Sequence, residues 1–270
     1  MRNFEKWQGC GNDFVIVDSR RDGEIDSPEN ISKICDRHFG IGADGVIYVL
    51  NSDVAEVRMR IFNADGSEAE MCGNGIRCFT KFLLDGTEKT NLTVETGAGI
   101  LSMNLRGELV TVDMGEPILA ADKIPVSGFG SEKIICESIE VDGKIFKITC
   151  VSMGNPHCII FVDDLSKIEL EQIGPKFERH EIFPKHVNAE FVQRVGENKL
   201  RMRVWERGSG ITLACGTGAC AVAVAANLNG LADKSSDVIL DGGTLHIDWR
   251  EDNHVFMTGA AEKIFSGSRD

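Results

Sequence analysis

The sequence has 270 residues, 42% of them hydrophobic, and its 29 basic and 42 acidic residues give a formal net charge of −13. This length fits one large domain or two ordinary ones, and the hydrophobic residues suffice for two cores. The acidic balance, without any run of Lys or Arg, argues against nucleic acid as a partner.

The cysteines and the amino terminus indicate a reducing environment. Nine cysteines is an odd number, which argues against a complete disulfide framework. The first residues, Met1–Trp7, lack the apolar stretch of a signal peptide. We therefore expect thiols in a cytoplasmic protein, or in an organellar one after removal of a transit peptide.

The first elements in chain order are two strands and a helix. Phe4–Trp7 and Phe14–Asp18 have strand composition and flank a glycine-containing turn. Ser27 then supplies an N-cap, and Pro28 stands at the first helical position. The sequence therefore predicts a helix that starts at this point.

A glycine-rich motif follows the predicted helix. Gly40–Gly45 fits the dinucleotide-binding fingerprint letter for letter. That fingerprint should follow a strand and open a helix. Here a helix precedes it and a predicted strand, Val46–Leu50, follows. We therefore predict a tight turn and no nucleotide site.

The first reactive loop comes next. Val57–Phe62 alternates apolar and basic residues, as a half-exposed strand does, and leads through a turn to Met71–Cys78. This segment contains Cys-Gly-x-Gly and runs into the apolar stretch Phe79–Leu84. The pattern predicts a cysteine at the start of a helix. Strands joined by glycine turns then close a first lobe near Pro117.

The second half of the chain repeats this order after a hairpin signal at Asp142–Gly143. The shift that carries Cys72 onto Cys215 also carries Val57–Asn63 onto Leu200–Glu206. Matches at one common shift indicate an internal duplication into two domain-sized lobes.

We predict an α+β fold of two pseudo-symmetric lobes. Each lobe is expected to be an antiparallel sheet wrapped around a central apolar helix, with the active site in the cleft between the lobes. The predicted lobes are residues 1–117 and 118–262. Residues 263–270 form a C-terminal tail that could pack back on the first lobe.

One uncharged segment, Ile211–Ala232, approaches the length of a membrane span. It also contains glycine, threonine and asparagine, and its counterpart in the first half contains Arg77 and Lys81. We therefore predict a helix that is buried on all sides and no membrane partner.

Two of the cysteines are predicted to carry chemistry. A cysteine at a helix start lies near unsatisfied backbone N–H groups, whose partial positive charge favours the thiolate. The glycines after Cys72 and Cys215 let those N–H groups approach an anion, so each loop can hold a carboxylate. We expect a structural role as small buried residues for the following: Cys35, Cys78, Cys136, Cys150, Cys158 and Cys220.

Zinc binding and dithiol redox chemistry fit the spacing poorly. Five residues separate Cys72 from Cys78 and four separate Cys215 from Cys220, without paired histidines. Zinc sites usually have shorter gaps, and redox dithiols favour Cys-x-x-Cys. We therefore expect no metal.

Two thiols that face each other suit inversion of a stereocentre. One removes a proton, and the other delivers a proton to the opposite face. The reaction requires one thiolate and one thiol, so neighbouring groups must give the two cysteines different pKa values. His157 and Glu206 are the candidates for this adjustment.

Motifs over most of the chain resemble those of the diaminopimelate epimerase family, cofactor-independent enzymes that interconvert L,L- and meso-diaminopimelate. The matching segments are Gly9–Phe14, Phe39–Gly45, Phe62–Ser67, Glu70–Gly75, Met153–His157, Trp205–Gly208 and Leu213–Cys220. The resemblance implies that Cys72 and Cys215 are the base and acid pair. It also implies that His157 and Glu206 adjust their pKa values.

The resemblance further implies a substrate-binding set. Backbone amides in both loops would hold the carboxylate at the reacting carbon: Gly73, Asn74, Gly216 and Thr217. Polar side chains would bind the ammonium groups and the distal carboxylate: Asn12, Asn63, Asn155, Asn188 and Arg207, with Glu206 near the reacting end. No cofactor, a homodimer and a role in lysine and cell-wall precursor biosynthesis are implied as well.

Three alternatives stay open at this point. A proline racemase-like enzyme tends to have Cys-Gly-His-Gly in its first loop, whereas Asn74 stands in the position of that histidine here. The phenazine biosynthesis isomerase type lacks the paired cysteines. A non-catalytic pair of amino-acid-binding lobes would show no exchange of the α-hydrogen with solvent.

Overall fold

The computed structural model describes residues 2–130 and 132–269, and the chain forms two compact units. The first unit comprises Met1–Asp113 and Thr258–Asp270, and the second comprises Met114–Met257. The predicted lobe ranges stay predictions, because compactness alone does not establish where an independently folding domain ends.

The first unit places two helices among short strands. Its first helix starts where predicted, because the Ser27 hydroxyl accepts a hydrogen bond from the Asn30 N–H (3.3 Å) and Pro28 occupies the first turn. The elements up to residue 113 are β1 (Arg2–Gly9), β2 (Asn12–Asp18), α1 (Pro28–Cys35), β3 (Gly45–Leu50), β4 (Val57–Asn63), β5 (Glu68–Ala69), α2 (Gly73–Leu84), β6 (Asn91–Thr96), β7 (Gly99–Arg106) and β8 (Leu109–Asp113).

The second unit opens with the predicted hairpin. Asp142 and Gly143 both have positive φ, 55° and 72°, which suits the tight turn between its first two strands. Its elements are β9 (Glu137–Val141), β10 (Lys144–Ser152), β11 (Pro156–Phe161), a 3₁₀ turn (Leu165–Lys167), α3 (Leu170–Glu178), β12 (Asn188–Gly196), β13 (Lys199–Glu206), β14 (Gly210–Ile211), α4 (Gly216–Leu228), β15 (Ser235–Leu240), β16 (Gly243–Trp249) and β17 (Val255–Ala260), which ends in first-unit residues.

The sheets are mixed, so the prediction of antiparallel sheets is wrong in part. β2 pairs parallel with β3, and β4 pairs parallel with β6. In the second unit β11 pairs parallel with β12, and β13 with β15. In each case a helix lies between the two strands in sequence, and such a crossover returns the chain in the same direction. Hairpins between consecutive strands form most of the antiparallel pairs, and β1 pairs antiparallel with the last strand of the chain.

The C-terminal segment completes the first unit. Its strand β18 (Glu262–Arg269) pairs antiparallel with β1, from Arg2 with Arg269 to Gln8 with Glu262. β1 pairs with β2 as well, so it is an interior strand. Both ends of the chain therefore contribute to one sheet.

Each unit packs its strands around one helix. In the first unit α2 contacts β1, β2 and β8, and its Phe79 is fully buried, which stabilises the fold by about 1.5–3 kcal/mol. In the second unit α4 contacts β10, β15 and β16, and Ala219–Ala226 is buried on every side. The predicted buried helix in Ile211–Ala232 is confirmed. In the described residues, no helix combines the length and the apolar content needed to cross a membrane.

Candidate active site

One edge of the first unit's sheet collects predicted site residues. β2 and β3 begin at this edge with Asn12 and Gly45, and the antiparallel β4 ends there with Asn63. Asn63 Nδ2 donates to Ser67 Oγ (3.0 Å), within the turn that follows β4. The strand register therefore brings Asn12 and Asn63 to the same edge, although they are far apart in sequence.

Cys72 lies at this edge, directly before α2. Its backbone is extended (φ −138°, ψ 123°), and its carbonyl accepts the first helical hydrogen bond from Ile76 (2.9 Å). The Cys72 thiol donates to Asn12 Oδ1 (3.6 Å), which also accepts from Asn74 Nδ2 (3.3 Å). Cys72, Gly73, Asn74 and Asn12 thus form one cluster.

Arg77 stabilises this helix start by hydrogen bonds, a role that was not predicted from the sequence. Its side chain is fully buried, with Nη1 donating to the Gly73 carbonyl (2.9 Å) and Nη2 to Asn74 Oδ1 (3.0 Å). Nε donates to the Ala260 carbonyl (3.3 Å) in the C-terminal segment of the same unit. A buried guanidinium therefore fixes the two residues that follow Cys72.

A charged network fixes Asn12 from the other side. Asn12 Nδ2 donates to Asp44 Oδ2 (2.7 Å), and Arg37 Nη2 bridges Asp44 Oδ1 (2.8 Å) and Asp13 Oδ1 (2.7 Å). Lys6 Nζ lies 2.9 Å from Asp13 Oδ2. Burial would raise the pKa of Asp13, but Arg37 and Lys6 outweigh it and lower that pKa to about 2.

Cys215 occupies the corresponding position in the second unit. It caps α4 in an extended conformation (φ −116°, ψ 109°), and its buried Sγ accepts from the Gly218 N–H (3.4 Å). The Thr217 hydroxyl lies 3.5 Å from the same sulfur. The prediction that Cys215 begins a helix, next to Gly216 and Thr217, is confirmed.

A buried His–Glu pair lies in strands next to this cysteine. His157 Nδ1 is 2.6 Å from Glu190 Oε1, His157 Nε2 is 2.9 Å from Asn155 Oδ1, and both His157 and Glu190 are 0% exposed. His157 and Asn155 were predicted from the sequence as site residues, but Glu190 was not. The alternation Asn188, Ala189, Glu190 on a strand could have indicated it, because residues two apart share a face.

Asn188 connects this cluster to Arg207. Parallel pairing sets Asn188 opposite His157, and its Nδ2 donates to the Pro156 carbonyl (2.9 Å). Its Oδ1 accepts from the Arg207 backbone N–H (2.9 Å), whereas the exposed Arg207 guanidinium donates to the Lys185 carbonyl (3.1 Å). The loop backbone is therefore held, and the charged end of Arg207 reaches solvent.

The surroundings of Cys215 favour its protonated thiol. Burial raises the pKa of the Cys215 thiol well above its usual range, and the carboxyl groups of Glu206 and Glu190 raise it further. Hydrogen bonds from Thr217 and Gly218 lower it by less. A helix N-terminus contributes only about 0.3–1 kcal/mol at an ordinary site, so Cys215 fits the thiol that the reaction requires beside one thiolate.

The pKa of the Glu206 carboxyl group is also raised. Burial raises its pKa, and the nearby Glu190 charge raises it further. The Thr212 hydroxyl donates to Glu206 Oε1 and opposes this rise. Three titratable side chains therefore surround one thiol in this unit: His157, Glu190 and Glu206.

His157, Glu190 and Cys215 each offer a possible metal-ligand atom within 4.8 Å of one another. Two ligands of a tetrahedral zinc at its usual bond lengths lie roughly 3.3 Å apart. His157 Nδ1 and Glu190 Oε1 are closer, at 2.6 Å, which is a hydrogen-bonding distance. The His157–Glu190 separation therefore fits a hydrogen bond and does not fit two ligands of one tetrahedral zinc.

The remaining cysteines mostly have the predicted structural role. Cys35, Cys78, Cys150, Cys158 and Cys220 are buried. Burial raises the pKa of Cys35 to about 11 and that of Cys78 to about 12, so both stay protonated at neutral pH. Cys136 is exposed, so the prediction of burial was wrong for this residue, which lies just before β9 at positive φ (57°).

Known sequences match this chain over nearly its whole length. The family model described as "Diaminopimelate epimerase" matches residues 4–120 and 149–264. The diaminopimelate epimerase of Leptospira biflexa is 51% identical over 273 residues, which cover 98% of each chain. That of Synechococcus elongatus is 52% identical over 273 residues and covers 99% of this chain and 98% of its own.

Solved structures share the fold at low sequence identity. A Bacillus anthracis phenazine biosynthesis protein of the PhzF family superposes with a TM-score of 0.68 at 20% identity, over 98% of each chain. A probable proline racemase from Agrobacterium radiobacter gives 0.70 at 14% identity, over 100% of this chain and 93% of that one. These similarities confirm a sheet-rich α+β fold.

Proposed function

The chain belongs to the diaminopimelate epimerase family, and we propose that Cys72 and Cys215 are the acid and base with which it interconverts L,L- and meso-diaminopimelate. It is an isomerase of lysine biosynthesis. The observation that carries the proposal is the repeated helix start: each unit presents one cysteine before a glycine-rich first turn.

The proposed proton transfers balance without a cofactor. One sulfur takes the α-hydrogen as a proton, so a C–H bond breaks and an S–H bond forms. The other sulfur gives its proton to the opposite face, so an S–H bond breaks and a new C–H bond forms. No net oxidation occurs, and the α-carbon is inverted.

The different environments of the two sulfurs support a starting assignment. Cys215 is buried beside two carboxyl groups and keeps its proton, so it begins a turnover as the acid. Cys72 is partly exposed, and we assign it as the base that begins the turnover. In the reverse direction the roles exchange. His157 and Glu206 adjust the proton affinity of Cys215 from within the same cluster.

The negative charge that develops next to the α-carbon needs stabilisation. Backbone N–H groups at the two helix starts serve this purpose, because they are fixed before the reaction and point toward an anion. We assign this role to Gly73, Asn74, Gly216 and Thr217.

The rest of the substrate carries charges of both signs. Arg207 can hold the distal carboxylate with two parallel hydrogen bonds, and its guanidinium is exposed for this purpose. Asparagine both donates and accepts, so it suits ammonium and carboxylate groups together. We assign this role to Asn12, Asn63, Asn155 and Asn188. A cytoplasmic homodimer is the assembly that the family resemblance supports.

An epimerase assay tests the function. The purified protein incubated with L,L-diaminopimelate should form the meso isomer, which chromatography resolves, and neither added cofactor nor a chelator should change the rate. L-Proline serves as the control substrate, because Asn74 replaces the histidine of a proline racemase loop. Racemised proline with unchanged diaminopimelate would favour the proline racemase alternative, and two unchanged substrates would favour a binding protein.

A further inference from the structure

Glu190 is a buried carboxylate packed against the first turn of α4. Its side chain projects from β12, and its Oε1 lies 2.6 Å from His157 Nδ1 on the adjacent β11. A methyl group built on Gly218 would lie 2.8 Å from this Oε1 and 3.2 Å from Cys215 Sγ. The absence of a side chain at Gly218 therefore leaves room for both the Glu190 carboxylate and the Cys215 thiol next to its Cα atom.

The surroundings of the second carboxylate oxygen of Glu190, Oε2, are unusual for a buried polar atom. Glu190 is 0% exposed, and its Oε2 has no hydrogen-bond partner among residues 2–130 and 132–269. Leaving a buried polar atom unpaired costs about 1–3 kcal/mol, and more for a charged group. A residue that only held His157 in place would not require this cost, because a neutral side chain could accept the same hydrogen bond.

We propose that Glu190 is a positioning residue of the proton-transfer machinery, which fixes the His157 ring and keeps a negative charge beside the Cys215 thiol. The inference rests on the proposed function, because it presumes that Cys215 transfers a proton. A carboxylate acceptor at Nδ1 keeps a hydrogen on that nitrogen, so the ring is fixed in orientation and tautomer. The negative charge opposes formation of a thiolate at Cys215.

The titratable groups that face Cys215 come from three strands. His157 on β11, Glu190 on β12 and Glu206 on β13 surround the thiol, and Thr217 of α4 contacts it. Glu190 raises the pKa of Cys215 and that of Glu206. Loss of its charge should therefore make Cys215 easier to ionise.

The test separates the charge of Glu190 from its shape. In Glu190→Gln the amide can still accept from His157, but the charge is lost; Glu190→Asp retains the charge. Ultraviolet absorbance of the thiolate is titrated for each variant and for the same variant with Cys215→Ala, so that the difference reports Cys215 alone. Thermal unfolding shows the pH range in which each protein is folded.

We expect the Cys215 thiolate of Glu190→Gln to form at a pH lower by about 1 unit or more, with kcat lower by about 10-fold or more. Glu190→Asp should titrate close to the wild type. Glu178→Gln is the matched control, because Glu178 is also buried in this unit but accepts hydrogen bonds from Trp205 and Gly208. Its Cys215 titration should not move.

An unchanged Cys215 titration in Glu190→Gln, or an equal shift in Glu178→Gln, would overturn the inference. The absorbance measurement needs no substrate. If the wild-type protein failed to epimerise diaminopimelate, the proposed function would fail, while the titration would still report whether Glu190 controls Cys215.

Discussion

Alanine at position 72 or 215 should lower kcat for diaminopimelate epimerisation by about 10²–10⁴-fold, the range that positioned acids and bases contribute. Each variant keeps one sulfur, but inversion requires a proton donor and a proton acceptor on opposite faces of one carbon. Steady-state assays from both isomers measure the loss. The fold should survive, because Cys to Ala removes one sulfur atom and adds no bulk to the start of either helix.

Cys136→Ala is the matched control for these variants. Cys136 is exposed and lies outside the proposed machinery, so its removal should leave kcat within about twofold and unfolding unchanged. A Cys72→Ala or Cys215→Ala protein with wild-type turnover would refute the assignment of the two-base role.

Asp13→Asn should lower the free energy of unfolding at neutral pH by about 2 kcal/mol. The pKa of Asp13 falls from 3.8 to about 2 in the folded protein, and each unit corresponds to about 1.4 kcal/mol. The folded pKa is depressed, so this stabilisation is present above about pH 4 and is lost as the pH falls toward 2. Urea denaturation of the wild type and of Asp13→Asn, from neutral pH down to about pH 2, measures the difference in their free energies of unfolding. This difference should shrink as the pH falls below about 4.

Asp18→Asn, on the same strand, provides the comparison. Arg20 lowers the pKa of Asp18 through a 2.5 Å ion pair, but the side chains are 42% and 38% exposed. Water screens such a pair, so the loss of stability should be below about 1 kcal/mol. Equal effects of the two variants would show that the ion pairs from buried Lys6 and exposed Arg37 do not stabilise Asp13 as described.

Local signals were enough to find both reactive loops. A glycine-rich turn, a cysteine and an apolar run specify a helix start without any long-range contact, so α2 and α4 could be located from sequence. The internal repeat added the correspondence between Cys72 and Cys215. The prediction of a turn instead of a nucleotide site at Gly40–Gly45 likewise depended on the order of the neighbouring elements.

Features that depend on pairing across the chain could not be found in this way. Glu190 meets His157 only because β11 and β12 pair in parallel across α3, and sequence alternation does not specify that register. Arg77 meets the Ala260 carbonyl through the C-terminal segment. For the same reason the sequence did not indicate which cysteine keeps its proton: burial and two carboxyl groups from other strands raise the pKa of Cys215.

Solvent deuterium tests the two-base claim most directly. The enzyme is incubated with L,L-diaminopimelate in deuterium oxide, and substrate and product are separated at low conversion for mass and magnetic resonance analysis. If a second, solvent-exchanged sulfur delivers the new proton, the meso product carries deuterium at the inverted carbon while the remaining substrate keeps its hydrogen. Meso product that retains the original hydrogen would contradict the assignment of Cys72 and Cys215 as a pair.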